Sequence, residues 1–429
     1  MISTLNRNIA PDNHPITHIP KICADETKLS NGIPVYSINA GSQDVVKIDI
    51  IFNAGLWQQD CNLQATLSNA MLNEGTSNNT AAQIAETFDF HGAYIQLGAD
   101  QHYGNISIIT LNRHLDKIIE VTSDLIINSE YPEQEFHTQI QKRRNKFTVE
   151  NEKVKTMCQK NFTQIMFGND HPYALNTKVE DYDSITREKL LKFYKQNYQP
   201  NNCKIILSGR ITDSTIKTLD KYLGNGGWSD LSVVTPSINP QIITSSQLHH
   251  HIQKADAIQT ALRMGKFIPN KDHADYPELN IVNTILGGYF GSRLMANIRE
   301  DKGYTYGIYS VLLTLKEAAY FFITTETGNE VSKATIEECQ KELKRMRTEP
   351  VGLQELDTVK AYMMGEILRD LDGPFALAAN LRGMLEFNLD NNFIDQQINA
   401  IKNITPERIL ELSNKYLNEE EMHIVTAGS

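Results

Sequence analysis

The sequence predicts an α+β protein built from two domains of one design. Three observations predict it: a helix-start-then-strand unit that occurs twice, an alternating strand near the start of each half, and a turn-rich stretch between the halves. The repeated unit is Ser184-Ile185-Thr186-Arg187-Glu188-Lys189-Leu190-Leu191 and its echo Asn403-Ile404-Thr405-Pro406-Glu407-Arg408-Ile409-Leu410. Thr186 and Thr405 suit the N-cap, where a hydroxyl accepts from an unpaired backbone N–H, and Pro406 suits the first helical position. About three turns on, each helix gives way to a short strand ending in glycine, Lys204–Gly209 and His423–Gly428.

The second echo is an alternating strand. Val46–Phe52 runs up to Ala54-Gly55, and Ile258–Gly265 does much the same. Asn31-Gly32, ahead of the first strand, marks a hairpin turn. Leu115, Ile118, Ile119, Leu125 and Ile126 form one apolar helical face. Ile336, Cys339, Leu343 and Met346 form another, and Met363-Met364 with Leu356, Val359, Ile367 and Leu368 reads as core. Gly224-Asn225-Gly226-Gly227 opens a stretch with Pro236, Pro240 and no helical period. The expected organisation is therefore an N-terminal extended segment over 1–24 and a first domain over 25–224. A linker over 225–247 then leads to a second domain over 248–429.

Composition narrows the function. At 429 residues the chain is too long for one ordinary core. Its 40% hydrophobic and 22% charged residues are those of a globular protein. A net charge of −11 argues against nucleic-acid binding, which needs a basic face. Cys23, Cys61, Cys158, Cys203 and Cys339 are odd in number and widely spaced, a pattern of reduced, buried thiols. Met1–Asn8 holds no apolar run of the signal-peptide kind, and no stretch of about 18 apolar residues occurs. The expectation is a cytoplasmic protein without a membrane segment. Removal of an upstream targeting segment would leave the same sequence.

Thr66-Leu67-Ser68-Asn69-Ala70-Met71-Leu72-Asn73-Glu74-Gly75-Thr76 is a helical run ending in Met-Leu and then Gly-Thr. It resembles the zinc-binding helix of the insulinase-like metallopeptidases, the group that includes mitochondrial processing peptidase and pitrilysin. Further along the first half, His171-Pro172-Tyr173, Tyr198-Gln199-Pro200-Asn201-Asn202 and Ser208-Gly209 resemble the end of that family's first domain. The second half carries Leu286-Gly287-Gly288-Tyr289-Phe290-Gly291-Ser292-Arg293-Leu294. It runs on to Asn297-Ile298-Arg299-Glu300-Asp301-Lys302-Gly303-Tyr304-Thr305-Tyr306-Gly307. Those residues are similar to the family's Gly-Gly, Ser-Arg-Leu, Arg-Glu-x-x-Gly-x-x-Tyr signature. The resemblance covers residues 25–429.

The chain departs from the family where the metal chemistry lies. Where the family carries His-x-x-Glu-His, this sequence has Thr66, Asn69 and Ala70. The segment expected to supply the third ligand, Gln139–Phe147, holds no carboxylate. Zinc-activated water needs imidazoles, an anionic ligand and a general base, and none is present in frame. The resemblance thus implies a non-catalytic subunit with no cofactor of its own, zinc residing in a partner with an intact His-x-x-Glu-His. It also implies that Arg299 and Tyr306 position the backbone of a peptide substrate. Self-pairing in the partner's absence stays open.

Plainer explanations exist for single residues. Arg299 lies beside Glu300 and Asp301 and suits a surface ion pair. Tyr306 suits a strand by propensity alone. Gly287–Gly291 reads as a strand-to-helix turn and lacks the Gly-Lys-Ser/Thr of a phosphate cradle. His249-His250-His251 lies at the linker edge with no second ligand type at metal spacing. For the whole chain, two other readings remain: a structural or scaffolding subunit of the same fold, or an autonomous peptidase with ligands of another pattern.

Overall fold

The computed structural model describes Ile16, residues 19–224, Trp228 and residues 240–429. Most of the expected N-terminal segment, and positions 225–227 and 229–239 of the expected linker with Pro236, lie outside the described residues.

Strands β1 (Asp25–Lys28), β2 (Pro34–Asn39), β3 (Val45–Phe52), β4 (Tyr94–Ala99), β5 (Gly104–Leu111) and β6 (Cys203–Gly209) form one sheet in the order β1-β2-β6-β3-β5-β4. Strands β7 (His249–Gln253), β8 (Gln259–Ile268), β9 (Thr305–Thr314), β10 (Ala319–Gly328) and β11 (His423–Gly428) form the other, in the order β7-β11-β8-β10-β9. The two patterns coincide once β1 is set aside. In each, the strand after the Ile-Thr helix runs parallel to the first strand of the repeat and antiparallel to the next. The fold is thus an α+β protein of two related sheets, each with helices packed on it.

The local signals explain why. Thr186 and Thr405 cap their helices, accepting from the backbone N–H groups of Lys189 and Arg408 at 3.4 and 3.3 Å. Gly32 closes the β1–β2 hairpin at φ +90°, which other L-residues avoid. In β3, Val46, Ile48, Ile50 and Phe52 face the Leu67, Met71, Leu125 and Phe193 core, while Ile51 faces the opposite side with Lys47 and Asp49, which pair at 2.8 Å. The second sheet buries Leu262, Met264, Phe321 and Ile323 against Leu343, Met346, Ile409 and Leu412.

The outer faces of the sheets are covered crosswise. The Val154–Phe167 helix of the first half lies on β8 and β11 of the second sheet, burying Cys158, Phe162, Met166 and Phe167 against Tyr320, Phe322 and Val425. The Pro374–Glu386 helix of the second half lies on β6 and β2, burying Ala378, Leu381 and Met384 against Ile38, Ile51 and Ile206. Residues 241–247 run back along the first of these helices, with Ile243 and Ser245 donating N–H to the Phe167 and Ile165 carbonyls. Ile22 exchanges two hydrogen bonds with the Asn391 side chain.

Several details differ from the sequence reading. The Gly287–Gly291 turn joins helix to helix, because the Tyr276–Asn283 helix continues through a π-type turn to Gly288 and a new helical segment starts after Gly291. His249–His251 form strand β7, since the backbone there pairs with Ile424–Thr426 of β11. Leu368 is 41% exposed while Met363 and Met364 are buried. Of the five thiols, Cys158, Cys203 and Cys339 are buried, whereas Cys23 is exposed and Cys61 half-buried.

A histidine marks the junction of the halves. The buried His102 ring sits 2.7 Å from the Tyr173 hydroxyl, which accepts from the backbone N–H of Glu317 in the β9–β10 loop. Burial, with Lys316 adding to it, lowers the His102 pKa to about 4. The folded protein therefore holds the neutral ring while the unfolded chain takes up a proton below about pH 6.5. The stabilisation is whole above that pH and is lost as pH falls toward 4, amounting to about 3 kcal/mol. Urea midpoints measured at pH 7 and pH 4.5 are expected to fall less steeply in His102→Gln than in the unaltered chain. Parallel declines would remove His102 from this account.

Candidate functional site

The helix expected to resemble a zinc helix is Gln64–Ala70, continued by a tight turn over Met71–Asn73. Asn69 is buried, and its amide donates to the Asn105 carbonyl at 3.2 Å and the Tyr198 hydroxyl at 3.0 Å. Thr66 donates to the Leu63 carbonyl, one turn back on its own chain. Ala70 offers a methyl group. Across from them, the Glu133–Asn151 helix presents Gln139, whose amide donates to Glu74 at 2.8 Å. Burial and Glu135 raise the Glu74 carboxyl pKa, and Lys142 and Arg143 oppose that rise.

These residues do not fit zinc. Two of the three motif positions are committed to neutral hydrogen bonds, the third has no donor atom, and cations stand near the one carboxylate of the cluster. At the three motif positions a dication would find no anionic or imidazole ligand, and Glu74 alone does not make a site. Among the described residues, no group of three or more His, Cys, Asp or Glu is placed to hold a metal ion. His249–His251 conform to this: His250 meets the Gln247 carbonyl, and His251 meets Thr426 and Gln253.

The Arg299/Tyr306 element is built differently. Arg299 lies on π-helical turns over Met295–Asp301. These turns are anchored by the buried side chains of Met295 and Ile298 and by Asn297, which donates to Glu338 and Glu342 at 2.8 and 2.7 Å. Helical turns of this widened kind often accompany functional sites. Tyr306 lies on β9, the last strand of its sheet, along which the Ile308 N–H meets the Met295 sulfur and the Ser310 carbonyl accepts from the Asn283 amide. In the β9–β10 register, Ile308 pairs with Thr325 and Thr305 with Thr327, so β9 carries one extra residue at Tyr306-Gly307. A bulge of this kind re-aims a side chain, and Tyr306 is 92% exposed.

The two residues meet. The Arg299 guanidinium carbon lies 4.6 Å from the centroid of the Phe290 ring and 5.7 Å from that of Tyr306. The cation thus lies over aromatic rings. Neither Glu300 nor Asp301 pairs with it, and among the described residues it meets no carboxylate, so the surface ion pair suggested by sequence does not form. Arg293, six residues earlier, is the opposite case: it is held by Glu355 through two bonds of 2.8 and 2.9 Å. Phe290 reaches Arg299 because Gly287 lets its segment close on β9. A Cβ there would stand 2.6 Å from the Ser310 backbone nitrogen.

Chemically, a guanidinium that lies over aromatic rings and meets no carboxylate has N–H donors for an oxygen ligand. The exposed Tyr306 phenol beside it adds a second donor that can reach a carbonyl oxygen. The sequence reading named Arg299 and Tyr306 but gave Phe290 no role, although it lies within the same motif. It also missed Tyr198 as the partner of Asn69. The signal for Phe290 was an aromatic residue amid glycines, where no core position calls for one.

Comparison with known proteins gives a consistent picture. The sequence profile described as "Peptidase M16 inactive domain" matches residues 184–363. An "uncharacterized zinc protease", YmxG, of Bacillus subtilis is 23% identical over 352 residues, covering 82% of this chain and 84% of that one. A "probable inactive metalloprotease", YmfF, of the same organism is 24% identical over 261 residues, covering 59% and 58%. Among solved structures, a peptidase M16 inactive domain from Pseudomonas fluorescens superposes with a TM-score of 0.81 at 24% identity, covering 94% of this chain and 98% of that one. A protease from Helicobacter pylori superposes with a TM-score of 0.84 at 17% identity, covering 96% and 100%.

Proposed function

Because this chain belongs to the insulinase-like, M16-type peptidase family and lacks that family's zinc ligands on its own helix, we propose that it is the non-catalytic subunit of a two-chain zinc peptidase. The partner is a chain of the same fold with an intact His-x-x-Glu-His. The substrate is a peptide lying extended past Arg299 and Tyr306. Arg299 and Tyr306 donate hydrogen bonds to a substrate carbonyl near the scissile bond, fixing the backbone and stabilising charge that develops on that oxygen. Metal and general base belong to the other chain.

The observation that carries this reading is the contrast between the two halves. In the first, the Thr66 hydroxyl and the Asn69 amide N–H groups are tied in neutral hydrogen bonds and Ala70 has no donor atom. In the second, the half-buried Arg299 lies over the Phe290 and Tyr306 rings and meets no carboxylate among the described residues.

Purification from the native source tests the proposal. The chain is expected to carry no stoichiometric zinc, to bring down a second chain with His-x-x-Glu-His, and to cleave peptides only when that chain is present. Stoichiometric zinc or cleavage by the isolated chain would overturn the proposal in favour of an autonomous peptidase.

A further inference from the structure

Phe290 is 62% exposed, an unusual position for a phenylalanine held among glycines. One face of its ring lies against Arg299. Gly287 and Gly291 flank it closely, and Gly287 is packed to contact with Ser310 of β9. Next to it, Tyr289 packs at a tilt against Tyr362 with ring centroids 5.0 Å apart, which anchors the turn. The ring therefore meets Arg299 on one face while much of it faces solvent. Water is a poor neighbour for a fixed aromatic surface, and an apolar side chain arriving there gains by displacing it.

Arg299 and Phe290 present two different chemistries within 4.6 Å: in-plane N–H donors and an apolar ring. In an extended peptide, a carbonyl and the neighbouring side chain are separated by about the same span. We infer that Phe290 is a substrate-binding residue: it holds Arg299 by one face and receives with its exposed surface a large apolar side chain of the peptide. This side chain adjoins the carbonyl that Arg299 binds. The inference rests on the proposed role of Arg299 in peptide binding and adds a side-chain preference to it. The chain selects for Phe- or Leu-sized residues at that position and discriminates against small or acidic ones.

Fluorescence anisotropy with the full chain tests this, using labelled peptides identical except for Phe, Leu, Ala or Asp at one position moved along the sequence. At one register the unaltered chain is expected to bind the Phe peptide about tenfold more tightly than the Ala peptide. Phe290→Ala closes that gap, and Phe290→Leu keeps most of it. Arg299→Ala weakens the Phe and Ala peptides in equal proportion, leaving the gap. The exposure of Phe290 makes misfolding of its variants an unlikely confounder, and circular dichroism checks it. A gap that survives Phe290→Ala, or no gap at any register, overturns the inference. A gap that Phe290→Ala closes while Arg299→Ala changes nothing keeps the apolar subsite and removes the carbonyl role of Arg299.

Discussion

Replacing Arg299 by alanine is expected to lower kcat of the assembled two-chain enzyme by about 100- to 1,000-fold, the usual cost of removing one donor to a developing oxyanion. KM should change much less, because the hydrogen bond strengthens as charge gathers on the carbonyl oxygen and is weak before that. Assembly with the partner should be unaffected. The buried neighbours Met295 and Ile298 and the Asn297 bonds to Glu338 and Glu342 hold the helical turn without help from Arg299. Arg299→Lys separates charge from geometry. An ammonium keeps the charge but lacks the planar fork of donors that lies over Phe290, so only part of the rate should return. Tyr306→Phe should cost less than Arg299→Ala, since it removes a neutral donor and keeps the ring. Unchanged turnover in an intact Arg299→Ala pair would sink the positioning role and leave the scaffolding reading.

The elements that the sequence announced are those determined within a few residues. Thr186 and Thr405 cap helices because a hydroxyl reaches an N–H three residues on. The alternation from Val46 to Phe52 declares a strand because its two faces meet different cores. The motif from Leu286 to Tyr306 could be read as one functional element from its residue types, yet its stacking could not. Which ring lies on Arg299 depends on the close approach of Gly287 to Ser310 and on an extra residue in β9, both tertiary facts. The same holds at the first-half motif. Substitution of the zinc ligands is plain in the sequence, but the hydrogen bonds from Asn69 to Asn105 and Tyr198 join residues 36 and 129 positions apart. Helical periodicity also says that the Val154–Phe167 helix has an apolar face, without saying which sheet that face covers.

That ambiguity has a large energetic consequence. Phe162 is fully buried, with its ring centroid 6.0 Å from that of Tyr320 and 6.2 Å from that of Phe322. Both of those rings belong to β10, in the opposite half of the chain. Phe162→Ala is expected to destabilise the protein by about 3–5 kcal/mol, combining lost transfer energy with the cavity that remains. Phe162→Leu, which keeps most of the volume, should cost less than about 1.5 kcal/mol. The location of the damage is the more telling result. Trp57 borders the Phe162 cluster that both halves share, so amide exchange in β3 and β5 reports the first half. Amide exchange in β10 and β11 reports the second. If crosswise packing joins the halves into one cooperative unit, both probes lose stability together in Phe162→Ala, although the substitution lies in the first half. Independent halves would leave β10 and β11 as protected as before. Joint loss would mean that neither half keeps its full stability alone, because each sheet has an outer face covered by a helix from the other half.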